Sequence, residues 1–448
     1  MNFAADPAEG KRVYDLDRAH VFHSWSAQGA LTPFCPAAAQ GCYVWDYDGK
    51  KYLDFTSQLV NVNIGHQHPK VVAAIQEQAA KLSTIAPQHA NDKRGEAAKL
   101  IVDLVHEGMN RVFFTNGGAD AVENAIRMAR IHTGKDKVLS FYRSYHGNTG
   151  AAINATGDPR RWPNEYAAHH AHFFGPYLYR SSFWAADEAQ ESERALAHLE
   201  QVIQFEGPVT SGAILIESVV GTAGVLVPPP GYLQGVRALC DKYGIIMIAD
   251  ETMSGFGRTG AWFAFQNWDV KPDLIVFAKG SNSGYVPVGG VIISDPIAAT
   301  FNERVFPGGL TYSGHPLACA SIVGSITAMQ EEGIVENAAS IGTDILGPGL
   351  RELAERHPVI GEVRGLGVFW ALDLVTNRET REPLAPYGGT SAAMGELAAE
   401  SRKRGLLPFT NFNRMHVVPP CTVTPDEARE GLAILDEVFT VVDKHYVG

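Results

Sequence analysis

The chain has 448 residues, of which 45% are hydrophobic and 19% are charged. This composition predicts a globular protein with a large buried core and excludes an intrinsically disordered chain. The formal net charge of −12, with no block of Lys and Arg residues, argues against a nucleic-acid-binding surface.

The first part of the chain contains one predicted hairpin and two predicted helices. Residues 1–40 show no regular pattern and are predicted to be irregular. Residues 43–55 alternate as a β-hairpin does, around Asp48-Gly49. Residues 69–82 and 94–107 have the apolar spacing of helices.

From about residue 110 to 295, short apolar segments alternate with amphipathic segments. The predicted strands are 111–115, 137–142, 212–218, 244–250, 273–278 and 289–294. The predicted helices are 119–132, 193–205 and 232–243. Apolar strands that alternate with helices indicate a mostly parallel sheet covered on both faces.

The pattern changes after about residue 330. A long helix is predicted at 335–356, a strand region with Gly365 and Gly367 as bulge or turn points at 363–375, and helices near 390–404 and 425–444. The last helix opens with a capping box, Thr424 to Glu427. We expect an α/β protein with three parts: a segment 1–65 that contributes to a small domain, a large domain 66–325, and a C-terminal small α+β domain 326–448.

Cysteines and terminal residues indicate the compartment. The five cysteines are scattered and form no CxxC pair, which is typical of a reducing compartment. The N-terminus lacks the apolar core of a signal peptide, and no apolar run approaches about 20 residues. We expect a cytoplasmic protein without a membrane span.

Ligands of open α/β sheets bind at the carboxyl ends of the strands, so the residues there are candidates for a site. In "FFTNGGADAVENA" (113–125), a strand, a glycine turn and a helix follow one another. Helix N–H groups at such a turn bind phosphate, although an ordinary strand-to-helix turn has the same pattern. Taken alone, this motif leaves both interpretations open.

Two acids end the strand "IIMIADE" (245–251). They resemble the metal-holding acid of a nucleotide hydrolase, but the required GxxxxGK[ST] motif does not occur. The alternative is that Asp250 caps the next turn. The nearby "GFGRTG" (255–260) matches GxGxxG by chance, because no strand directly precedes it and no helix follows.

Lys279 follows the apolar run "LIVFA" and precedes a turn of small residues. An amine desolvated at a strand end has a lowered pKa and becomes nucleophilic. Tyr145 and His146 lie just past another strand end. The Tyr145 ring could stack on a flat ligand, and His146 adds an imidazole. A phosphate turn, a ring partner, a buried acid and a lysine together are what pyridoxal phosphate requires.

Three nearby histidines do not change this interpretation. His169, His170 and His172 lack helix-face metal spacing and have no carboxylate or cysteine beside them. We therefore expect no metal site.

The order of these motifs resembles the class III (subgroup II, omega) aminotransferases of fold type I. The resemblance runs from about Tyr43 to the last helix, and its most specific segments are "IADETMSGFGRTG…KPDLIVFAKGSNSGYVPVGGVI" and "TYSGHP" (311–316). Asp250 and Lys279 match the family in type and in their spacing of 29 residues.

The resemblance implies a role for each matching residue. Lys279 would form the Schiff base with pyridoxal phosphate and shuttle the proton, and Asp250 would pair with the pyridine nitrogen. Thr311 would reach the phosphate of a partner subunit, because the family's sites lie at a dimer interface. The remaining cofactor contacts would come from Gly117, Gly118, Ala119, Tyr145, His146, Glu217 and Thr252.

Several positions depart from the family pattern. Gly117-Gly118-Ala119 replaces a serine-glycine-serine turn, Thr252 replaces a valine, and Thr222 stands where related enzymes carry a gating glutamate. Phe409 stands where an arginine usually receives the substrate carboxylate. Arg414 either replaces that arginine or is a solvated residue, and both alternatives stay open.

By their positions relative to the family's motifs, Trp25, Leu59, Val60 and Phe409 would line the substrate pocket, with Arg414 as a further candidate. A mainly apolar pocket suits amines or ω-amino acids. We expect a homodimeric aminotransferase that moves an amino group from such a donor to a 2-oxo acid, pyruvate or 2-oxoglutarate. The alternative on the same scaffold is a pyridoxal-phosphate-dependent lyase or racemase.

Overall fold

The computed structural model describes residues 4–165 and 168–448. Within these ranges it contains sixteen strands arranged in three sheets. The strands are β1 (Pro36–Gln40), β2 (Tyr43–Asp46), β3 (Lys51–Asp54), β4 (Arg111–Thr115), β5 (Lys137–Phe141), β6 (His170–Phe173), β7 (Ser211–Glu217), β8 (Ile246–Asp250), β9 (Leu274–Phe277), β10 (Gly289–Ile293), β11 (Ile360–Leu366), β12 (Phe369–Asn377), β13 (Glu382–Pro383), β14 (Leu406–Leu407), β15 (Phe409–Asn411) and β16 (Arg414–Val417).

Helices pack on these sheets and connect their strands. They are α1 (Pro7–His20), α2 (Ser57–Val60), α3 (Pro69–Lys81), α4 (Asp92–Val102), α5 (Gly118–Thr133), α6 (Gly150–Ala155), α7 (Glu188–Glu206), α8 (Tyr232–Tyr243), α9 (Asp295–Ala299), α10 (Pro316–Glu331), α11 (Ile334–Ile341), α12 (Gly347–Arg356), α13 (Ala392–Lys403) and α14 (Pro425–Val442). None of the described helices is long and apolar enough to cross a lipid bilayer.

The central sheet has seven strands in the order β4-β10-β9-β8-β7-β5-β6. Neighbouring strands are parallel from β9 to β6, whereas β10 runs antiparallel to both β4 and β9. Strands β7 to β10 are buried along their whole length, as expected for strands covered on both faces. The predicted α/β fold with a mostly parallel sheet is confirmed.

The first 40 residues are more ordered than the sequence analysis predicted. Helix α1 begins after Asp6, whose carboxylate accepts a hydrogen bond from the N–H of Glu9 at 3.0 Å, and β1 pairs antiparallel with β2. The prediction of irregular structure was wrong because none of the α1 residues is buried. A helix without a buried face has no apolar periodicity to reveal it.

The predicted hairpin at 43–55 is confirmed as β2 and β3, and it gains a strand from the other end of the chain. Strand β14 pairs parallel with β3, with Leu406 opposite Leu53. The sheet formed by β1, β2, β3 and β14 therefore joins the N-terminal residues to the C-terminal third.

The C-terminal third forms a sheet of five strands, in which β11, β12, β16 and β15 follow one another and β13 pairs with β12. The predicted strand region at 363–375 is a hairpin of β11 and β12 that turns at Gly367, whose φ is +57°. The predicted long helix is divided into α11 and α12 by a π-helical turn, Gly342–Leu346. The capping box of α14 is confirmed, because the Thr424 hydroxyl accepts from the Glu427 N–H at 3.2 Å.

Candidate active site

A cavity of about 360 Å³ lies at the carboxyl ends of the central strands. Residues that directly follow β4, β5, β8 and β9 form its wall, together with Glu217 at the end of β7. The cavity therefore occupies the place where an α/β sheet binds its ligand. It brings together most of the predicted cofactor residues: Gly117, Gly118, Ala119, Tyr145, His146, Glu217, Asp250, Thr252 and Lys279.

Lys279, which the sequence predicts to be the reactive amine, lies two residues after the end of β9 in a short 3₁₀ turn. Its φ is +39°, a conformation that few residues other than glycine adopt. Burial lowers the pKa of Lys279, while Asp250 and Glu217 partly oppose this shift. A lowered pKa raises the fraction of neutral amine at physiological pH, and the neutral amine is the nucleophile.

Asp250 ends β8 and is 4% exposed. Its Oδ2 lies 2.7 Å from His146 Nδ1, and its Oδ1 accepts from the N–H of Thr252 at 3.0 Å. Asp250 therefore caps the following turn, as one interpretation predicts, and it also lines the cavity. His146 Nε2 is buried without a hydrogen-bond partner among the described residues.

The adjacent acid, Glu251, has a different environment. Its carboxylate accepts hydrogen bonds from the hydroxyls of Ser218 and Ser254 and from the N–H groups of Ala264 and Phe265. Glu251 is fully buried, and its carboxylate bonds to these four protein groups and does not line the cavity. We assign Glu251 to the support of the 251–265 loop and Asp250 to the cavity.

The predicted phosphate turn connects β4 to α5. Gly117 is the N-cap residue of this 16-residue helix, and it has no side chain to accept from the first-turn N–H groups. Those N–H groups and the helix dipole therefore remain available for an anion. A Cβ at Gly118 would lie 2.9 Å from Thr252 Cγ2, so glycine lets the turn approach Thr252 closely.

Glu217 connects two loops of the cavity wall. Its carboxylate accepts from the N–H of Tyr145 at 2.9 Å and from the N–H of Gly221 at 2.8 Å. Burial raises the pKa of Glu217, and the nearby Asp250 adds to this effect. Glu217 thereby fixes the backbone that carries the Tyr145 ring.

A second cavity of about 610 Å³ adjoins the first. We call the first the inner cavity and the second the outer cavity. Both are lined by Leu59, Tyr145, Thr222, Met253 and Lys279. Trp25 and Phe409 line the outer cavity, where the sequence analysis placed the substrate pocket.

Arg160 lines the outer cavity and was missed by the sequence analysis. Its guanidinium carbon lies 3.5 Å from the centroid of the Tyr145 ring, and its Nε donates to Asp158 Oδ2 at 3.0 Å. Arg160 belongs to the 3₁₀ segment Pro159–Asn164, which has no periodicity that reveals its position. The adjacent basic residues and tryptophan of "DPRRW" (158–162) were the available signal.

Three predicted residues lie elsewhere. Val60 is fully buried in a hydrophobic cluster with Val219 and Phe369, because the chain turns Leu59 and not Val60 toward the cavity. Arg414 is 6% exposed, which excludes a solvated arginine, and its Nη1 donates to the carbonyl of Ala223. Thr311 is exposed, and its predicted contact with a partner subunit stays a prediction.

The residues of the inner cavity fit pyridoxal phosphate. The free N–H groups after Gly117 suit its phosphate, Asp250 suits a protonated ring nitrogen, and Lys279 suits its aldehyde. Thr252 Oγ1 and His146 Nε2 are buried polar atoms without partners among the described residues. Such atoms usually bond to a ligand or a water molecule.

Comparisons with known proteins identify the family. The profile of the family Aminotransferase class-III matches residues 25–439, and the chain belongs to this family. It is 34% identical to the 5-aminovalerate aminotransferase DavT of Pseudomonas aeruginosa, over 92% of this chain and 94% of that protein. It is 30% identical to the taurine–pyruvate aminotransferase of Bilophila wadsworthia, over 96% of this chain and 97% of that protein.

Solved structures give the same result. The taurine:2-oxoglutarate aminotransferase of Bifidobacterium kashiwanohense, in complex with pyridoxal phosphate and glutamate, is 43% identical over the whole of both chains, with a TM-score of 0.95. The protein is therefore a pyridoxal-phosphate-dependent aminotransferase, as the sequence predicts. The lyase or racemase alternative gains no support from these relatives.

Proposed function

We propose that the protein transfers the amino group of a short ω-amino acid, taurine before others, to 2-oxoglutarate or pyruvate. The donor carries its amine at one end and an acid group, carboxylate or sulfonate, at the other. The inner cavity would hold the reacting amine beside Lys279, and the outer cavity would hold the acid group.

Lys279 and Asp250 would carry the chemical step. When bound, pyridoxal phosphate supplies an aldehyde and an electron-withdrawing ring. Lys279 would hold the cofactor covalently and move a proton at the substrate carbon, for which a lowered pKa is suited. Asp250, supported by His146, would keep the ring nitrogen protonated.

Backbone and neighbouring side chains would position the cofactor. The N–H groups of Gly118 and Ala119 would bind its phosphate at the start of α5. Tyr145 and Thr252 would flank its ring. These assignments rest on the shared cavity and on the resemblance to the family.

The observation that carries the substrate class is Arg160. Among the described residues that line the two cavities, Arg160 is the only arginine and Lys279 the only lysine. A guanidinium binds carboxylate and sulfonate groups through charge-assisted hydrogen bonds. Nε and Nη2 of Arg160 are bonded to Asp158, and Nη1 makes no hydrogen bond to a described residue. Nη1 of Arg160 is therefore the guanidinium nitrogen that would donate to the acid group of a donor.

The relatives support this substrate class. Taurine and 5-aminovalerate, the donors in the names of three relatives, are both ω-amino acids with an acid group. The acceptors in those names are 2-oxoglutarate and pyruvate.

The test is a matrix of donors and acceptors. Taurine, β-alanine, 4-aminobutyrate and 5-aminovalerate would be compared with alkylamines of the same length that lack the acid group. Each donor would be supplied with pyruvate, with 2-oxoglutarate or without an oxo acid. We expect the acidic donors to have the higher kcat/KM. Equal or better use of the alkylamines would refute the proposed substrate class, and turnover without an oxo acid would indicate a lyase or racemase.

We further propose a cytoplasmic homodimer in which Thr311 contributes to the partner's site, and a division of each chain into segments 1–65, 66–325 and 326–448. The pairing of β14 with β3 supports the union of the first segment with the third. Light scattering of the purified enzyme tests the dimer, and limited proteolysis tests the boundaries.

A further inference from the structure

The loop Gly221–Gly224 contacts the C-terminal sheet, whose strand β15 also lines the outer cavity. Its Thr222 lines both the inner and the outer cavity. Behind Thr222, four consecutive backbone carbonyls of the loop each accept a hydrogen bond from a different side chain. We call this set of four bonds the carbonyl clamp.

All four donors belong to the C-terminal sheet, on β11, β15 and β16. The bonds join His416 Nε2 to Gly221 O (3.1 Å), Asn411 Nδ2 to Thr222 O (2.8 Å), Arg414 Nη1 to Ala223 O, and Arg364 Nε to Gly224 O (2.5 Å). Loop carbonyls normally bond to water. Side-chain donors at four successive carbonyls fix the backbone position of the whole loop.

The loop is also held from its other side. The N–H of Gly221 donates to Glu217 at 2.8 Å, and a Cβ at Gly221 would overlap Met253 Sδ. At Gly224, where φ is +106°, a Cβ would lie 2.5 Å from Arg414 Cδ. At these two glycines the loop therefore fits closely between Met253 and Arg414.

The two arginines of the clamp differ in how their charges are paired. Arg414 forms no ion pair with a described carboxylate, and burial lowers its pKa to about 10, which leaves it protonated at neutral pH. Arg364 pairs with Glu362 and lies 3.5 Å from Asp373. His416 is fully buried, and Gly221 O can only accept, so His416 Nε2 carries the proton.

We infer that Arg364, Asn411, Arg414 and His416 are positioning residues that determine donor length. They hold the wall at Thr222 in one place, and this fixed wall favours short donors over long ones. The inference rests on the proposed function, because it assigns a length limit to the same donor site. Arg414 acts through the Ala223 carbonyl and does not bind the acid group of a substrate.

The test compares clamp variants with a matched control. Arg364→Met and Arg414→Met each remove one bond, Arg414→Lys retains a donor, and His416→Gln retains an N–H at the same carbonyl. His357→Gln is the control, because His357 is a buried histidine of the C-terminal third that bonds to Asp436 and Asp443 and not to the loop.

Two readouts are measured on the cofactor-loaded enzymes. Hydrogen exchange, followed by mass spectrometry, reports the mobility of amides 222–225. Steady-state kinetics give kcat and KM for ω-amino acids with two to five carbons. For each Met variant we expect exchange about tenfold faster and KM for the shortest donor about tenfold higher, with kcat nearly unchanged and a smaller preference for short donors. Arg414→Lys, His416→Gln and the control should resemble the parent.

Three results would overturn the inference. Unchanged exchange in both Met variants would show that the clamp does not fix the loop. An effect confined to Arg414→Met and to KM for 2-oxoglutarate would identify Arg414 as a carboxylate ligand. An equal effect in His357→Gln would indicate general loosening of the C-terminal third. If the parent prefers donors without an acid group, the proposed function fails, but hydrogen exchange still decides the clamp.

Discussion

The inner and outer cavities share a lysine but are built in different ways. The inner cavity is lined mainly by residues at or after the ends of the strands of one sheet, so backbone hydrogen bonds fix the relative positions of these residues. The outer cavity is assembled from distant segments near residues 25, 59, 158–160, 222, 388 and 409–412.

The residues of the two cavities are therefore positioned in two different ways. Residues at strand ends are brought together by the sheet, and they include the amine and the acid expected to do the chemistry. Loop residues are brought together by tertiary packing, and they include the arginine expected to choose the substrate. Mutations in the inner cavity should therefore reduce turnover, and mutations in the outer cavity should change which donor is used.

The largest effect is expected at Lys279. Lys279→Ala should lower the rate of amino transfer by on the order of a thousandfold or more, because the variant lacks both the covalent anchor and the base. Borohydride treatment of the parent, followed by peptide mass spectrometry, should show a cofactor adduct at position 279. An adduct at another lysine, or normal turnover by the variant, would contradict the assignment.

Asp250→Asn should reduce kcat by about a hundredfold or more, because an amide no longer stabilises a protonated ring nitrogen. The matched control is Glu251→Gln at the next position. Its carboxylate bonds to Ser218 and to the 251–265 loop and lines neither cavity, so we expect a loss of stability of about 1–3 kcal/mol with kcat retained. Loss of kcat in the control with normal turnover of Asp250→Asn would reverse the two roles.

Arg160→Met should leave the inner cavity intact and raise KM for acidic donors by roughly ten- to a hundredfold, the value of a charged hydrogen bond. The kcat/KM for alkylamines should not fall. Arg161→Met is the control, since Arg161 pairs with Glu165 and lines neither cavity. An equal loss for donors with and without an acid group would mean that Arg160 only supports the Tyr145 ring.

The smallest effect concerns His416, behind the outer cavity. Burial lowers the pKa of His416 from its usual 6.5 to about 3. Below pH 6.5 the unfolded chain gains a proton that the folded protein does not, so stability falls as pH decreases from 6.5 toward 3, by about 1.4 kcal/mol per pH unit. Stability above pH 6.5 is independent of this group.

The variant His416→Gln has no imidazole to be protonated in the unfolded chain, and its amide still offers an N–H donor to the Gly221 carbonyl. Melting temperatures of the parent and the variant, measured from pH 8 to pH 5, should change in parallel above pH 6.5. Below that value the parent should lose more, about 2 kcal/mol by pH 5. Profiles that remain parallel down to pH 5 would show that His416 is protonated in the folded enzyme.

The same contrast explains what the sequence could predict. Asp250 ends an apolar strand and Lys279 follows another, and ligands of open α/β sheets bind at the carboxyl ends of the strands, so these residues of the inner cavity could be predicted. Arg160 lies in a 3₁₀ segment, and helix α1 buries no residue, so neither has a periodic signal. Val60 was placed on the cavity wall because sequence position alone does not tell which of two adjacent side chains faces inward.

Adjacent strands β8 and β9 place Asp250 opposite Val276, three residues before Lys279. The segments that carry the acid and the amine are therefore held by paired strands, whose spacing is about 4.8 Å, and not by the loops that surround the substrate. In directed evolution, libraries that randomise the surrounding loops can explore new donors without altering this spacing. In this scaffold, the paired strands position the groups that carry out the reaction, and the loops determine the range of substrates.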